Sequence, residues 1–339
     1  MSVYLWALRQ LFPGTPTYTE QHIPDLAGRV YLVTGANTGV GWEVARVLFA
    51  KNATVWAAAR SEEKGRAALE AIRAAHPASA GRLELLPLDL SDLEAVRRAA
   101  AAFVAREPRL HVLFNNAGVM IPPAGSTTAQ GYELQLGTNC LGHFLLTKLL
   151  TPTLAATAAE ERQSRGPTAP SPAPAPVRVV WVSSSAAEHL IPVRRGFEID
   201  NLDYSKKDIL YVYKYGVSKV GNYYHATEYA RRHRDDGIVS ISLNPGNLKS
   251  ELDRYCNPIE MIFRKATVYP PINGAYTELF AGLSDEVTLE RSGDWIIPWG
   301  RFGEIRKDLV LGSKPVSEGG TGIAQQFWEW SEEQVKPYV

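Results

Sequence analysis

Between Val30 and Pro298 short continuous apolar runs alternate with stretches whose apolar residues recur at helical spacing. The runs are Val30–Thr34, Thr54–Ala58, Leu83–Leu88, Leu110–Phe114, Val177–Ser183, Val239–Asn244 and Trp295–Pro298. A strand covered on both faces is apolar throughout rather than at every second residue. The alternation of such strands with helices predicts a parallel sheet sandwiched between helical layers. One helix is expected over Trp42–Lys51, where Val44, Val47 and Leu48 make one face. A second should start at Ser91, with Glu94 completing a capping box. A third is expected from about Gly131 to Leu154 and a fourth around Tyr211 to Arg232.

Two stretches break this rhythm. About 155–176 turns to Ala, Thr, Glu and Arg and then to Pro167, Pro170, Pro172, Pro174 and Pro176, which deny helix and ladder alike, so a disordered surface loop is expected there. About 190–210 is polar and mixed. The predicted organisation is an N-terminal segment, 1–24, followed by one α/β domain over 25–339 with these insertions, another about 255–271, and a C-terminal extension. Arg231-Arg232-His233-Arg234 reads as cations complementing a helix C-terminus. The tryptophans Trp295, Trp299, Trp328 and Trp330 either line a pocket or pack the extension onto the core.

Composition narrows the function. The chain has 339 residues, 45% hydrophobic and 21% charged, which excludes collagen-like, wholly disordered and disulfide-scaffold classes. Lys plus Arg and Asp plus Glu are 36 each, so no global field draws in nucleic acid or an anionic membrane. Cys140 and Cys256 are too few for a thiolate zinc site and suit a reducing compartment. Cys140 reads as a small buried apolar residue, and His143, His189 and His225 lack metal-ligand spacing. No run approaches the roughly 20 apolar residues of a membrane span, and the opening residues lack a basic leader, so a cytoplasmic protein is expected. Membrane contact through Leu5, Leu8, Leu11 and Phe12 is the lesser expectation, against packing on a core or a homodimer surface.

The first strand leads directly into Gly35-Ala36-Asn37-Thr38-Gly39-Val40-Gly41 and then a helix. Glycines in that context permit a tight turn and close approach to a pyrophosphate, and the helix N-terminus supplies unpaired N–H groups. Farther on, Tyr215 and Lys219 stand four apart, on one face of a helix. A phenol that ordinarily titrates near 10 is brought by a neighbouring ammonium toward a working pH for proton transfer.

The spacing Gly-x-x-x-Gly-x-Gly after Thr34 resembles the cofactor loop of the short-chain dehydrogenases/reductases. Asn115-Asn116-Ala117-Gly118 resembles their second signature, and Asn139, Ser183-Ser184-Ser185, Tyr215 to Lys219 and Asn244-Pro245-Gly246 follow in family order over about Asp25 to Ser250. The resemblance is greatest to the retinol-dehydrogenase-like and WW-domain-oxidoreductase-like members and, in 131–139 and 181–185, to fungal relatives. It implies a Rossmann-type doubly wound parallel sheet of about seven strands.

The resemblance also implies roles. Tyr215 is the general acid/base, Lys219 holds the nicotinamide ribose, Ser184 binds the substrate oxygen, and Asn139 positions a water beside the lysine. Ser184 is preferred as the second serine after Val182, with Ser183 and Ser185 expected on the other side of an extended strand. Ser184 and Tyr215 stand farther apart than in the shortest members, which the 190–210 insertion accounts for. Cofactor contacts are implied at Gly35, Asn37, Thr38, Gly39, Val40, Gly41, Asp89, Leu90, Asn116, Ala117, Gly118, Pro245, Gly246, Leu248 and Ser250. Arg60, after the second strand where an acidic residue would bind a ribose 2′-hydroxyl, argues for NADP(H). The implied activity interconverts a carbonyl and an alcohol on a small molecule, largely apolar because Tyr255, Ile259, Met261, Ile262 and Phe263 fall in the substrate insertion. A non-catalytic NADP(H)-binding regulator is the rival reading. A sugar-nucleotide epimerase suits the length but neither the glycine spacing nor 115–118.

Overall fold

A computed structural model describes residues 10–165, 176–191, 197–249 and 268–339. Ser250, Cys256, the apolar residues expected at 255–263, most of the proline tract and Met1–Arg9 lie outside the described residues.

The strands are β1 (Val30–Thr34), β2 (Thr54–Ala59), β3 (Arg82–Pro87), β4 (Val112–Asn115), β5 (Arg178–Val182), β6 (Val239–Leu243), β7 (Trp295–Ile297) and β8 (Arg301–Gly303). They form one sheet in the order β3-β2-β1-β4-β5-β6-β7-β8, parallel except for the antiparallel β7–β8 pair. The eighth strand exceeds the expected seven; it is a half-buried three-residue edge with no continuous apolar signature.

Successive residues of β1 enter opposite cores, as pleating requires. Tyr31 and Val33 join Val44, Val47 and Leu48 of α1 (Gly39–Ala50), Leu69 and Ile72 of α2 (Glu62–Ala75), and Ala275 and Leu279 of α7 (Pro271–Leu283). Val30 and Leu32 face Val96 and Phe103 of α3 (Leu93–Val104) and Phe144 and Leu145 of α4 (His143–Arg165). A third cluster joins α6 (Tyr211–Arg232), α8 (Lys307–Ser313) and α9 (Ile323–Val335) through Val220, Leu309 and Phe327.

Three local expectations change. Asp92, not Ser91, caps α3 by accepting from the Glu94 N–H, because the Ser91 hydroxyl is spent on Asp89. The helix expected over 131–154 begins with a turn at Leu134–Leu136, passes through a π-helical stretch at Gly137–Gly142, and continues as α4 through Arg165. Residues 155–165, expected as the start of a loop, are helix instead, because their Ala, Glu and Arg are good helix formers. The C-terminal tryptophans serve packing: Trp328 sits edge-on to Phe144, Trp330 stacks on Phe327, and Trp299 accompanies the loop after β6. At the end of α6, Arg231 and Arg232 pair with the buried carboxylate of Glu228. No helix of the described residues is long and apolar enough to cross a membrane.

One buried group runs against this packing. Glu278 lies fully buried on α7 between Gly274, whose missing Cβ admits Leu248, and Gly282, whose missing Cβ admits the Phe114 ring. Among the described residues neither carboxyl oxygen has a hydrogen-bond partner, and burial pushes the group up to about 8 from an ordinary 4.5, with the Lys219 charge opposing. A raised carboxyl contributes its full stability below 4.5 and loses it as pH climbs to about 8. Glu278→Leu should therefore raise stability by about 1–3 kcal/mol at pH 8 and flatten its fall between pH 4.5 and 8, read by urea unfolding.

Candidate active site

Strand order reverses beside β1, where β2 leads one way and β4 the other, and the C-terminal ends there open a crevice. Its cleft of about 280 Å³ is lined by Gly35, the run Asn37–Gly41, Arg60, Asp89, Leu90 and the run Asn116–Gly118. These are the cofactor contacts expected from the first half of the chain.

The glycines have separate reasons. Gly35 and Gly39 adopt positive φ, +68° and +59°. A Cβ on Gly41 would lie 2.7 Å from the Gly35 carbonyl oxygen and collide with the Asn116 amide. Thr38 occupies the N-cap of α1 in extended backbone, yet its hydroxyl makes no capping bond. The first turn of α1 therefore has no side-chain cap from Thr38 on its N–H groups.

Behind the loop, one hydroxyl joins three segments. Buried Thr34 Oγ1 accepts the backbone N–H groups of Asn116 and Ala117, both at 2.9 Å. It lies 2.9 Å from His143 Nε2, while His143 Nδ1 lies 3.1 Å from the Asn139 carbonyl oxygen. Burial holds His143 neutral, pushed down to about 3. A neutral ring that donates from Nδ1 to Asn139 accepts at Nε2, so the Thr34 proton goes to it at 2.9 Å rather than to the Phe114 carbonyl at 3.2 Å. Within the π-helical stretch the His143 backbone N–H bonds to the Cys140 carbonyl, while its side chain reaches that of Asn139.

On α6, Tyr215 is 7% exposed and Lys219 3%. Lys219 Nζ donates to the Val182 carbonyl at 3.0 Å and sits 5.7 Å from the Tyr215 ring centre. Burial pulls the lysine down to about 8. Ser183 donates to the Lys219 carbonyl at 2.6 Å and Asn222 to Val182 at 2.9 Å, fastening α6 to the end of β5. The fully buried Asn139 accepts from the Val119 N–H at 2.8 Å and donates to Ser218 at 3.0 Å. Gly118 brings these elements together: a Cβ there would be 3.3 Å from Asn139 Oδ1 and 3.5 Å from Lys219 Nζ.

Of the three serines, Ser183 is committed to α6, and Ser184 is half-buried with its hydroxyl accepting from the Ala186 N–H. Ser185 does not alternate in an extended strand as expected; it has turned helical to start α5 (Ala186–His189). Gly246 takes φ +99° because the Trp299 ring occupies its Cβ position, and Leu248 fills the gap at Gly274. Pro245 is half-buried in the same turn. Cys140 is fully buried, with burial pushing its thiol up. No metal-holding cluster occurs among the described residues.

Lys64, in the first turn of α2, lines the cleft with Arg60 and was not anticipated, although its place four residues after Arg60 signals it. Arg60 is therefore not the sole cation there. Thr138 also lines the cleft, its hydroxyl buried without a partner among the described residues.

Residues 29–166 match the family model described as short chain dehydrogenase. A short-chain dehydrogenase/reductase of Phomopsis amygdali is 54% identical over 98% of this chain and 97% of its own length. The chain belongs to the short-chain dehydrogenases/reductases. Another family member, bet4 of Neocamarosporium betae, is 46% identical over 97% of this chain and 93% of its own. Among solved structures, an uncharacterised protein from Mycobacterium Paratuberculosis matches with a TM-score of 0.65 at 27% identity, over 95% of this chain and 98% of that one. The NADPH-bound carbonyl reductase from chicken fatty liver shares the fold, with a TM-score of 0.60 at 22% identity over 85% and 97%. The family sheet, the glycine loop and the 115–118 turn meet at Thr34.

Thr34→Val should strand the Asn116 and Ala117 N–H groups and cost about 2–5 kcal/mol, whereas Thr34→Ser keeps the hydroxyl and loses less. Denaturant midpoints of the two variants check this ordering.

Proposed function

We propose that the chain is an NADP(H)-dependent oxidoreductase interconverting a carbonyl and an alcohol on a largely apolar small molecule. The observation that supports this best is the approach of Asn139 and Lys219 to Gly118, at the end of a cleft floored by glycines that a Cβ would fill. The open first turn of α1 suits a pyrophosphate, and Thr138 offers an unpaired hydroxyl. Bound there, the cofactor supplies or accepts the hydride.

The chain's own residues do the rest. Arg60 and Lys64 hold the 2′-phosphate, since no acidic side chain stands at the end of β2 to claim a ribose hydroxyl. Asp89 and Leu90, which line the cleft, would hold the adenine end of the cofactor, and Pro245, Gly246 and Leu248 would hold its nicotinamide end, with Ser250 assigned there by the sequence resemblance alone. Lys219 presents its ammonium to the nicotinamide ribose, anchored by Val182 so that little reorganisation is needed. Ser184 orients the substrate oxygen, Tyr215 delivers the proton in reduction and removes it in oxidation, and Asn139 positions the water beside Lys219. Two structural relatives, a NADPH-bound carbonyl reductase and the RhlG/NADP complex of Pseudomonas aeruginosa, accord with the cofactor. The apolar substrate rests on the composition of 255–271.

The test follows NADPH absorbance of the purified protein against ketones, aldehydes and quinones. Turnover of at least one class is expected, and Tyr215→Phe should lower it about 10²–10⁴-fold with NADPH binding nearly intact. A Tyr215→Phe variant of comparable rate would remove the assigned role. The pair Arg60→Ala, Lys64→Ala should weaken NADPH about ten- to a hundredfold or more and leave NADH nearly untouched, read by cofactor fluorescence.

A further inference from the structure

We propose that Gln10 is a positioning residue: the N-terminal segment clamps the loop carrying Ser184 to the turn carrying Pro245 and Gly246. The clamp's catalytic consequence rests on the carbonyl–alcohol reading above; its structural part does not.

Gln10 is 4% exposed although it precedes β1, and both ends of its amide are used. Its Oε1 accepts from Asn244 Nδ2 at 2.6 Å, and its Nε2 donates to Glu188 Oε2 at 3.1 Å. Asn244 ends β6 and with its own Oδ1 accepts the Gly246 N–H at 3.1 Å, holding the turn in which Gly246 takes positive φ. Glu188 lies one turn after Ser184 on α5. Its other oxygen accepts the Arg306 N–H at 3.0 Å, and the Arg306 guanidinium donates to the carbonyls of Glu188 and Ile191. An unbroken line of hydrogen bonds thus runs from Gly246 through Asn244, Gln10 and Glu188 to Arg306.

Two further contacts fasten the same segment. The Trp299 indole N–H donates to the Gly14 carbonyl at 3.0 Å, and the Tyr269 hydroxyl to that of Leu11 at 3.4 Å. Trp299 is the ring that fills the space above Gly246. A terminal segment with no tie of this kind frays. Residues 10–14 are instead bonded to the loops following β5, β6 and β7, at the sheet edge where the catalytic strand ends emerge. A side chain placed this way acts on rate through geometry, because small displacements of a positioned group cost catalysis steeply.

Gln10→Leu keeps most of the volume and removes both bonds. Gln10→Asn keeps the amide one methylene short, a milder break that serves if the first variant fails to fold. Hydrogen exchange of the full chain with NADPH is expected to quicken about fivefold or more over 183–191 and 244–249 while 30–41 stays unchanged. With an active ketone, kcat per NADPH-binding site, counted by cofactor-fluorescence titration so that any loss of folded protein is divided out, should fall about tenfold with the NADPH KM within about twofold. Unchanged exchange in both loops, or a uniform rise that includes 30–41, would overturn the clamp. Changed exchange with kcat unaltered would overturn its positioning role. If the unaltered protein turns over nothing in the panel, the functional reading fails and the exchange arm alone decides the clamp.

Discussion

The Thr34 hydroxyl is the constraint on which the site depends. It has one proton and two lone pairs, and all three are used: two N–H groups arrive from the turn after β4, and the proton goes to a histidine that burial keeps neutral. The same histidine reaches the Asn139 carbonyl within the π-helical stretch. One small side chain thereby sets the end of β1 against the end of β4 and both against the start of α4. The glycine loop departs from that point, so its path over the cleft is fixed before any ligand arrives.

Electrostatics at the site follow from burial rather than from charge pairing. Lys219 sits deep enough to be pulled down to about 8 and is held by a carbonyl, not a carboxylate. Glu278 and Glu188 are both pushed up to about 8 by burial, although Glu188 is bonded on both oxygens and Glu278 on neither. At the other end of the site two exposed cations, Arg60 and Lys64, border the cleft. A ligand with one strongly anionic end and one nearly neutral end matches that distribution.

Much of this was legible in the chain because buried parallel strands announce themselves as apolar runs, and because the glycine loop and the Tyr215–Lys219 pair are local patterns. The edge strand β8 was not, since three half-buried residues carry no periodic signal. The extent of α4 was misread where Ala and Glu were weighed with the prolines that follow; propensity alone favours helix up to Arg165. Lys64 was within reach of a reading that continued one turn past Arg60. Gln10 was beyond any such reading, because its partners Glu188 and Asn244 are 178 and 234 residues away. Nothing local marks a glutamine as the link between two loops.

The central claim is that hydride leaves or reaches a nicotinamide in this cleft while Tyr215 moves the proton. The most direct measurement supplies NADPH deuterated at the transferring C4 position together with a ketone that the protein consumes, and locates the label in the product by mass spectrometry. The account predicts deuterium on the carbinol carbon, none on the oxygen, and loss of labelled product in Tyr215→Phe. NADPH bound in the cleft without transfer of label to any carbonyl compound would contradict it.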